Sequence, residues 1–234
     1  MPVTTMSPLA DRILTMDGEA IIIDKPAGLP VDPPRDGSLS LENHLASLTF
    51  GFKRWPLAVH RLDRDTSGCL LLARNPKAHK RFGAAFEASE VTKTYIAVVA
   101  AVPNEQEGVI DMPLGKISSE AEGWRMVHDD KGKRAVTRWR LIGQNEGRAL
   151  LACFPETGRT HQIRVHLADG LGLGIIGDPV YGAPPLEARA PLLLHARALH
   201  MPRANKPPVE AKAPLPERFA AAGFSTSDLD NAGL

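Results

Sequence analysis

The sequence predicts an α+β fold, on three observations. A strand pair with a tight-turn signal opens the chain, further strand-like segments follow, and the helix signals stand isolated instead of alternating regularly with the strands. With 234 residues the chain can bury a sizeable core, as one domain with or without two sub-lobes.

The elements are justified in order. Arg12–Met16 and Glu19–Asp24 read as strands joined by Asp17-Gly18, a dipeptide suited to the positive φ of a two-residue hairpin turn. Leu41, Leu45 and Leu48 mark one face of a helix starting near Ser38 or Ser40. The apolar run Cys69–Ala73 reads as a buried strand. Asn75 caps a second helix with Pro76 in its first position, and Phe82 and Phe86 supply its buried stripe. Thr92–Val99 and Arg134–Ile142 alternate as strands do, and Arg148–Phe154 is a further apolar strand. Thr160 is expected to cap a helix running through Ala168 and closed by Gly170. Residues 1–10 and 224–234 are short, small-residue or polar stretches expected to be disordered tails, which leaves 11–223 as the folded domain.

Composition narrows the class. Hydrophobic residues at 43% and charged residues at 24% are those of an ordinary soluble protein. Lys and Arg number 28 against 27 Asp and Glu, so bulk charge does not announce a nucleic-acid binder. Local clusters exist at Lys131, Lys133, Arg134, Arg138 and Arg140, and at Lys77, Lys80 and Arg81, and each reads equally as a binding face or a solvated one. Cys69 and Cys153 lie in apolar runs without metal-ligand spacing, so buried free thiols are expected and a structural zinc or other metal is not. Met1–Thr5 lacks the basic-then-apolar pattern of a signal peptide, and no apolar run approaches membrane length, so a cytoplasmic location with no membrane association is expected.

One segment concentrates chemistry. His60-Arg61-Leu62-Asp63-Arg64-Asp65-Thr66-Ser67-Gly68 sets a carboxylate between two arginines and ahead of a Thr-Ser-Gly turn. Neighbouring positive charge favours the ionised carboxylate, and a turn against a buried strand would hold it on rigid scaffold. Such a group suits a nucleophile or a base. Taken alone, the aspartate reads as readily as a turn residue bonded to backbone amides.

This segment resembles the signature of the RluA family of RNA pseudouridine synthases, and other segments agree in order and spacing. They are Ile21–Val31 with Lys25-Pro26-Ala27-Gly28, Lys93-Thr94-Tyr95, Thr157–Ala168 with Gly177–Gly182, Leu192–Ala196, and Ala213–Pro216. The resemblance covers roughly residues 12 to 220. It implies the pseudouridine synthase fold, a bent, mixed, largely antiparallel sheet with flanking helices around a central cleft. With the catalytic pattern starting near residue 12, a single-domain form without an N-terminal S4-type RNA-binding module is expected.

The implied activity is isomerisation of specific uridines in ribosomal RNA or transfer RNA, on a nucleotide turned out of the stack. The implied partner is an RNA stem-loop, with no cofactor and no obligate protein partner, the protein acting as a monomer. By motif position Asp63 is the nucleophile, Arg164 the arginine paired with it, and Tyr95 the ring stacked on the uracil. Arg61 is expected at the vacated base position or on phosphate, and His60 beside it, more as a support of the loop than as a base. Lys93, Arg159 and His161 are candidates for phosphate or uracil contacts, Leu194 for an apolar wall, and Asp178 for an architectural role in its Gly-Asp-Pro turn. Without the family, Arg164 would read as a helix-surface cation and Tyr95 as a half-buried strand aromatic.

Two other classes fit less well. A glycosidase or nucleoside hydrolase would need a second carboxylic acid, and no motif sets one beside Asp63. A non-catalytic RNA-binding module would tolerate loss of Asp63 or Tyr95, yet both are present.

Overall fold

A computed structural model describes residues 8–34, 36–119, 123–184, 186 and 191–234. The chain forms two compact units, residues 1–91 with 198–213, and residues 92–197 with 214–234.

In the first unit, β1 (Ile13–Met16) and β2 (Ala20–Lys25) form the expected antiparallel hairpin. Asp17 builds its turn, its Oδ1 accepting from the amides of Glu19 (2.8 Å) and Ala20 (2.9 Å). Leu41–Leu48 is helical as read, in a 3-10 winding, with Ser40 and Asn43 in a reciprocal cap and all three predicted leucines buried. The short β3 (Leu57–Ala58) and β2 both pair antiparallel with β4 (Ser67–Ala73), every residue of which is buried. A strand covered on both faces has to be apolar throughout, which explains the Cys-Leu-Leu-Leu-Ala run. Gly68 adopts φ 108°, a conformation that costs only glycine nothing. Helix α1 (Pro76–Glu87) starts where Asn75 Oδ1 accepts from the Ala78 amide at 2.9 Å, and lays Ala78, Phe82 and Ala85 on Ile22, Cys69 and Leu71.

In the second unit, β5 (Thr92–Val99), β6 (Glu107–Asp111), the hairpin β7 (Leu114–Ser119) and β8 (Gly123–His128), β9 (Val136–Asn145) and β10 (Arg148–Pro155) pair only antiparallel, in the order β5-β10-β9-β6 with β7 on β8. The two-residue period sorts the sheet into two cores. Ala97, Val99, Leu151 and Cys153 pack on Ile163 and Leu167, whereas Ile96, Val98, Leu150 and Ala152 pack on Phe219, Phe224 and Leu229. β11 (Leu194–Met201) starts in this unit, and its second half, from Ala198, pairs with β12 (Val209–Lys212) in the first. Both units are α+β, as expected.

Three expectations need correction. Residues 224–234 are not a tail: Phe224 and Leu229 are at most 2% exposed, and Ser225 and Asp228 cap the helix Thr226–Asn231 reciprocally. Two buried apolar side chains anchor a segment that looks small and polar in bulk. At the other end Leu9 is buried in a 3-10 turn, Leu9–Arg12, so order begins before residue 11, while 1–7 lie outside the described residues.

The third concerns the helix predicted from Thr160 to Ala168. The α-helix α2 covers only Gln162–Val165, followed by a π-type turn His166–Gly170, and Thr160 does not cap it. The Gln162 side chain serves that end instead, its Oε1 accepting from the Arg159 amide (3.0 Å) and the Thr157 hydroxyl (2.7 Å). Gly170 is required by contact rather than capping, since a Cβ there would lie 2.7 Å from Ile110.

Candidate active site

In the first unit, Asp63 sits half-buried on the loop between β3 and β4, where the Thr66 amide donates to its carbonyl at 3.1 Å. Lys25 holds the next residue in place. Its side chain has no exposed surface, and its Nζ donates to the carbonyls of Pro26 (2.8 Å), Leu29 (2.8 Å) and Arg64 (3.0 Å). The Gly28 amide donates to the same Arg64 carbonyl at 2.9 Å, and Arg64 Nε donates to the Gly28 carbonyl at 3.3 Å. A buried ammonium is costly unless it is fully hydrogen-bonded, so these bonds lock the Lys-Pro-Ala-Gly turn to the Asp63 loop.

His60 is part of this scaffold. Its Nε2 accepts from the Leu71 amide at 3.0 Å, which sets the neutral tautomer with the proton on Nδ1, and its ring stacks on Phe86 at 4.5 Å. Arg61 reaches into solvent, where it meets Asp32 at 2.8 Å with both side chains at least 60% exposed, a pair of small energetic weight.

In the second unit, Lys93 and Tyr95 share a face of β5, two residues apart, with Tyr95 packed on the core that contains Leu194, itself 3% exposed. Burial pushes the Lys93 ammonium below the ordinary lysine range, because desolvation disfavours its charged form.

Arg164 lies on α2 and is 8% exposed. Its Nε and Nη2 donate to the two oxygens of Asp178 at 2.6 and 2.8 Å, a bidentate fork. Asp178 Oδ1 also accepts from the amides of Val180 (2.9 Å) and Tyr181 (3.2 Å). Burial alone would raise the Asp178 pKa, but the Arg164 hydrogen bonds and charge and the two amides outweigh it and hold the carboxyl below its ordinary value.

Tyr181 ties several of these groups together. Its ring lies under the Arg164 guanidinium at 5.0 Å, and its hydroxyl accepts from the Met126 amide on β8 at 2.9 Å. The same hydroxyl bonds His161 Nδ1 at 2.9 Å, and the His161 ring stacks on Trp124 of the β7–β8 hairpin at 5.0 Å. His161 holds φ 52°, a left-handed conformation uncommon outside glycine. Arg159 is exposed, its Nε donating to the Arg134 carbonyl at 3.0 Å.

Beneath α2 a buried relay fixes hydrogen-bond directions. Gln162 Nε2 donates to the Thr137 hydroxyl (3.0 Å), that hydroxyl donates to His166 Nδ1 (2.9 Å), and His166 Nε2 donates to the Met112 carbonyl (3.0 Å). Burial pushes the His166 imidazole below its ordinary range.

Thus the structure groups His60, Arg61 and Asp63 in the first unit, and Lys93, Tyr95, Arg159, His161, Arg164 and Leu194 in the second. Asp178, expected to be architectural, holds its turn through the Val180 and Tyr181 amides and is in addition the bidentate partner of Arg164. Sequence reasoning gave Lys25 and Tyr181 no individual role. The available signals were that a buried arginine demands a carboxylate, and that only two tyrosines exist. Both cysteines are buried, as expected, and form no disulfide among the described residues, with burial pushing the Cys153 thiol up to about 12.

Comparison with known proteins gives the family and the fold. The family described as RNA pseudouridylate synthase matches residues 19–169, a range that includes Asp63, Tyr95 and Arg164. The chain is 61% identical over 216 residues to an uncharacterised RNA pseudouridine synthase of Zymomonas mobilis, covering 92% of this chain and 99% of that protein. It is 38% identical over 178 residues to ribosomal large subunit pseudouridine synthase D of the same organism, covering 73% of this chain and 56% of the relative, so it spans little more than half of that protein. The solved structure of human RNA Pseudouridylate Synthase Domain Containing 4 superposes with a TM-score of 0.76 at 27% identity, over 95% of this chain and 93% of that one.

Proposed function

Since the chain belongs to the RNA pseudouridylate synthase family, we propose that Asp63 is the nucleophile of its reaction. The protein is an RNA pseudouridine synthase, an isomerase acting on uridine in RNA. The reaction breaks the bond from uracil N1 to ribose C1′, turns the base, joins C5 to C1′, releases the C5 proton and places a proton on N1, so that product and substrate are isomers. Its atoms balance without an oxidant, a reductant or a group donor, so no cofactor enters.

The observation that carries the assignment is the anchoring of the Asp63 loop by the buried Lys25 ammonium. A carboxylate on main chain fixed at the adjacent carbonyl, yet itself half-buried, can meet a substrate without prior rearrangement. In this reading Tyr95 stacks on the extruded uracil, Arg164 supplies a fixed positive charge, and Leu194 lines the apolar wall. Lys93, Arg159 and His161 contact phosphate or uracil, Arg61 contacts phosphate or fills the vacated stack, and His60 supports the loop. The substrate is a stem-loop of ribosomal RNA or transfer RNA, and the enzyme works as a cytoplasmic monomer.

Asp63→Asn and Asp63→Ala are expected to abolish tritium release from RNA labelled at uracil C5 while preserving melting temperature and RNA affinity. Turnover by purified Asp63→Ala protein would remove the assignment. Carbodiimide mapping of pseudouridines in RNA from a deletion strain, with and without active protein, names the modified site. Sedimentation and cell fractionation test the monomer and its location.

A further inference from the structure

We propose that the loop Phe50–Trp55 is a stacking platform for unpaired nucleotides of the substrate RNA flanking the uridine that is modified. The proposal rests on the reading that the neighbouring Asp63 loop acts on RNA. Six consecutive residues, Phe-Gly-Phe-Lys-Arg-Trp, hold three of the chain's twelve aromatic residues. Trp55 is 56% exposed, Phe50 44% and Phe52 38%, which is unusual for large aromatic side chains. Lys53 and Arg54 between them are exposed and make no ion pair among the described residues.

The loop is built rather than slack. Arg74, only 8% exposed, donates through Nη2 to the Phe50 carbonyl at 3.2 Å and through Nη1 to the Asp17 carbonyl at 2.6 Å. Its guanidinium carbon stands 4.1 Å from the Phe52 ring centroid. Phe50 and Gly51 take left-handed conformations in succession (φ 42° and 85°), and the Phe52 amide donates to the Thr49 carbonyl at 3.0 Å. One cation thus fixes the backbone and one ring, and the Trp55 ring is left presented to solvent.

Charge and position select the occupant. No acidic residue occurs from 43 to 62, whereas Lys53 and Arg54 do, and Arg61 meets Asp32, so the field around Lys53 and Arg54 favours a polyanion. In the other clusters three arginines face acids, Arg138 with Glu156, Arg134 with Asp111 and Arg81 with Glu19. Trp55 stands two residues before β3, which is followed in the chain by His60 and then Asp63. Exposed aromatics interleaved with Lys and Arg bind single strands by base stacking and phosphate contact.

The test uses the full-length protein and fluorescein-labelled oligouridylate twelve nucleotides long, with a duplex of equal length for comparison. Trp55→Ala is expected to weaken single-strand binding about tenfold, with duplex binding less affected, and Trp55→Phe to recover most of the loss. Lys53→Ala with Arg54→Ala should lower the slope of log Kd against log salt by about 1.4. Single-strand affinity within twofold of wild type in both variants, with melting temperatures unchanged, overturns the proposal; so does a change of self-association or protein binding without any change in RNA affinity. Asp63→Asn run alongside separates the two ideas. Turnover by that variant sinks the nucleophile assignment, whereas the platform stands or falls on binding alone.

Discussion

Asp178→Ala removes the carboxylate from a buried bidentate pair, and its consequence can be worked from the contacts. Arg164 at 8% exposure and Asp178 at 0% form hydrogen bonds of 2.6 and 2.8 Å, so the variant leaves a guanidinium without its fork partner in a poorly solvated position. Breaking a buried pair from one side costs about 3–5 kcal/mol. The Val180 and Tyr181 amides lose an acceptor as well, adding about 1 kcal/mol because this turn is partly solvated. At roughly 2–4 °C per kcal/mol for a chain of this size, a loss of about 5 kcal/mol lowers the melting temperature by about 10–20 °C.

Calorimetry at pH 7 measures this directly. Asp178→Asn keeps an acceptor oxygen and the shape, so its loss should be about half as large. Acid titration supplies an independent check. The folded carboxyl titrates below its ordinary 3.8, so its stabilisation is complete above that value and drains away as pH falls through the lower folded pKa. The alanine variant should therefore show a shallower loss of stability below pH about 4. An Asp178→Ala protein that melts within about 2 °C of wild type would refute the reasoning, since it would mean that Arg164 does not depend on this fork.

Three further outcomes follow from the same contacts. Lys25→Met strands the Pro26 and Leu29 carbonyls and leaves the Arg64 carbonyl to the Gly28 amide alone, and should cost about 3–5 kcal/mol in urea unfolding, with faster hydrogen exchange at the Gly28 amide and lost turnover. Tyr181→Phe keeps the ring under Arg164 but loses the hydroxyl bonds to Met126 and His161, so stability should fall by about 1–2 kcal/mol and kcat should fall more than KM rises. His166 is held neutral by burial, with its folded pKa below the ordinary 6.5; its contribution is complete above that value and is lost as pH falls through the folded pKa. Urea midpoints of the wild type should thus decline below pH 6.5 more steeply than those of His166→Gln.

Much of the fold was legible because the signals are local. Asp17-Gly18 bends the first hairpin, Asn75-Pro76 starts α1, and Thr92–Val99 alternates, each through interactions within a few residues. The Asp63 loop was legible as a motif for the same reason. Residues 224–234 misled because their two anchors, Phe224 and Leu229, are outnumbered by polar neighbours, and only a partner surface reveals what they bury against. The entry to α2 misled because Gln162 bonds backward to Thr157 and the Arg159 amide, taking the capping role expected of Thr160.

By itself, then, the sequence determined many of the strands and helices, the family to which the chain belongs, and which loop carries the family's aspartate motif. Backbone propensity, capping and side-chain periodicity act over one or two turns and are written in consecutive residues. Only the tertiary structure decided that Asp178 rather than another acid forks Arg164, that Lys25 is spent on three carbonyls beside Asp63, and that Tyr181 joins the β7–β8 hairpin to α2. Those choices depend on which buried charges and amides come within about 3 Å after the chain has packed, and hydrogen bonding at that range has no periodicity to read.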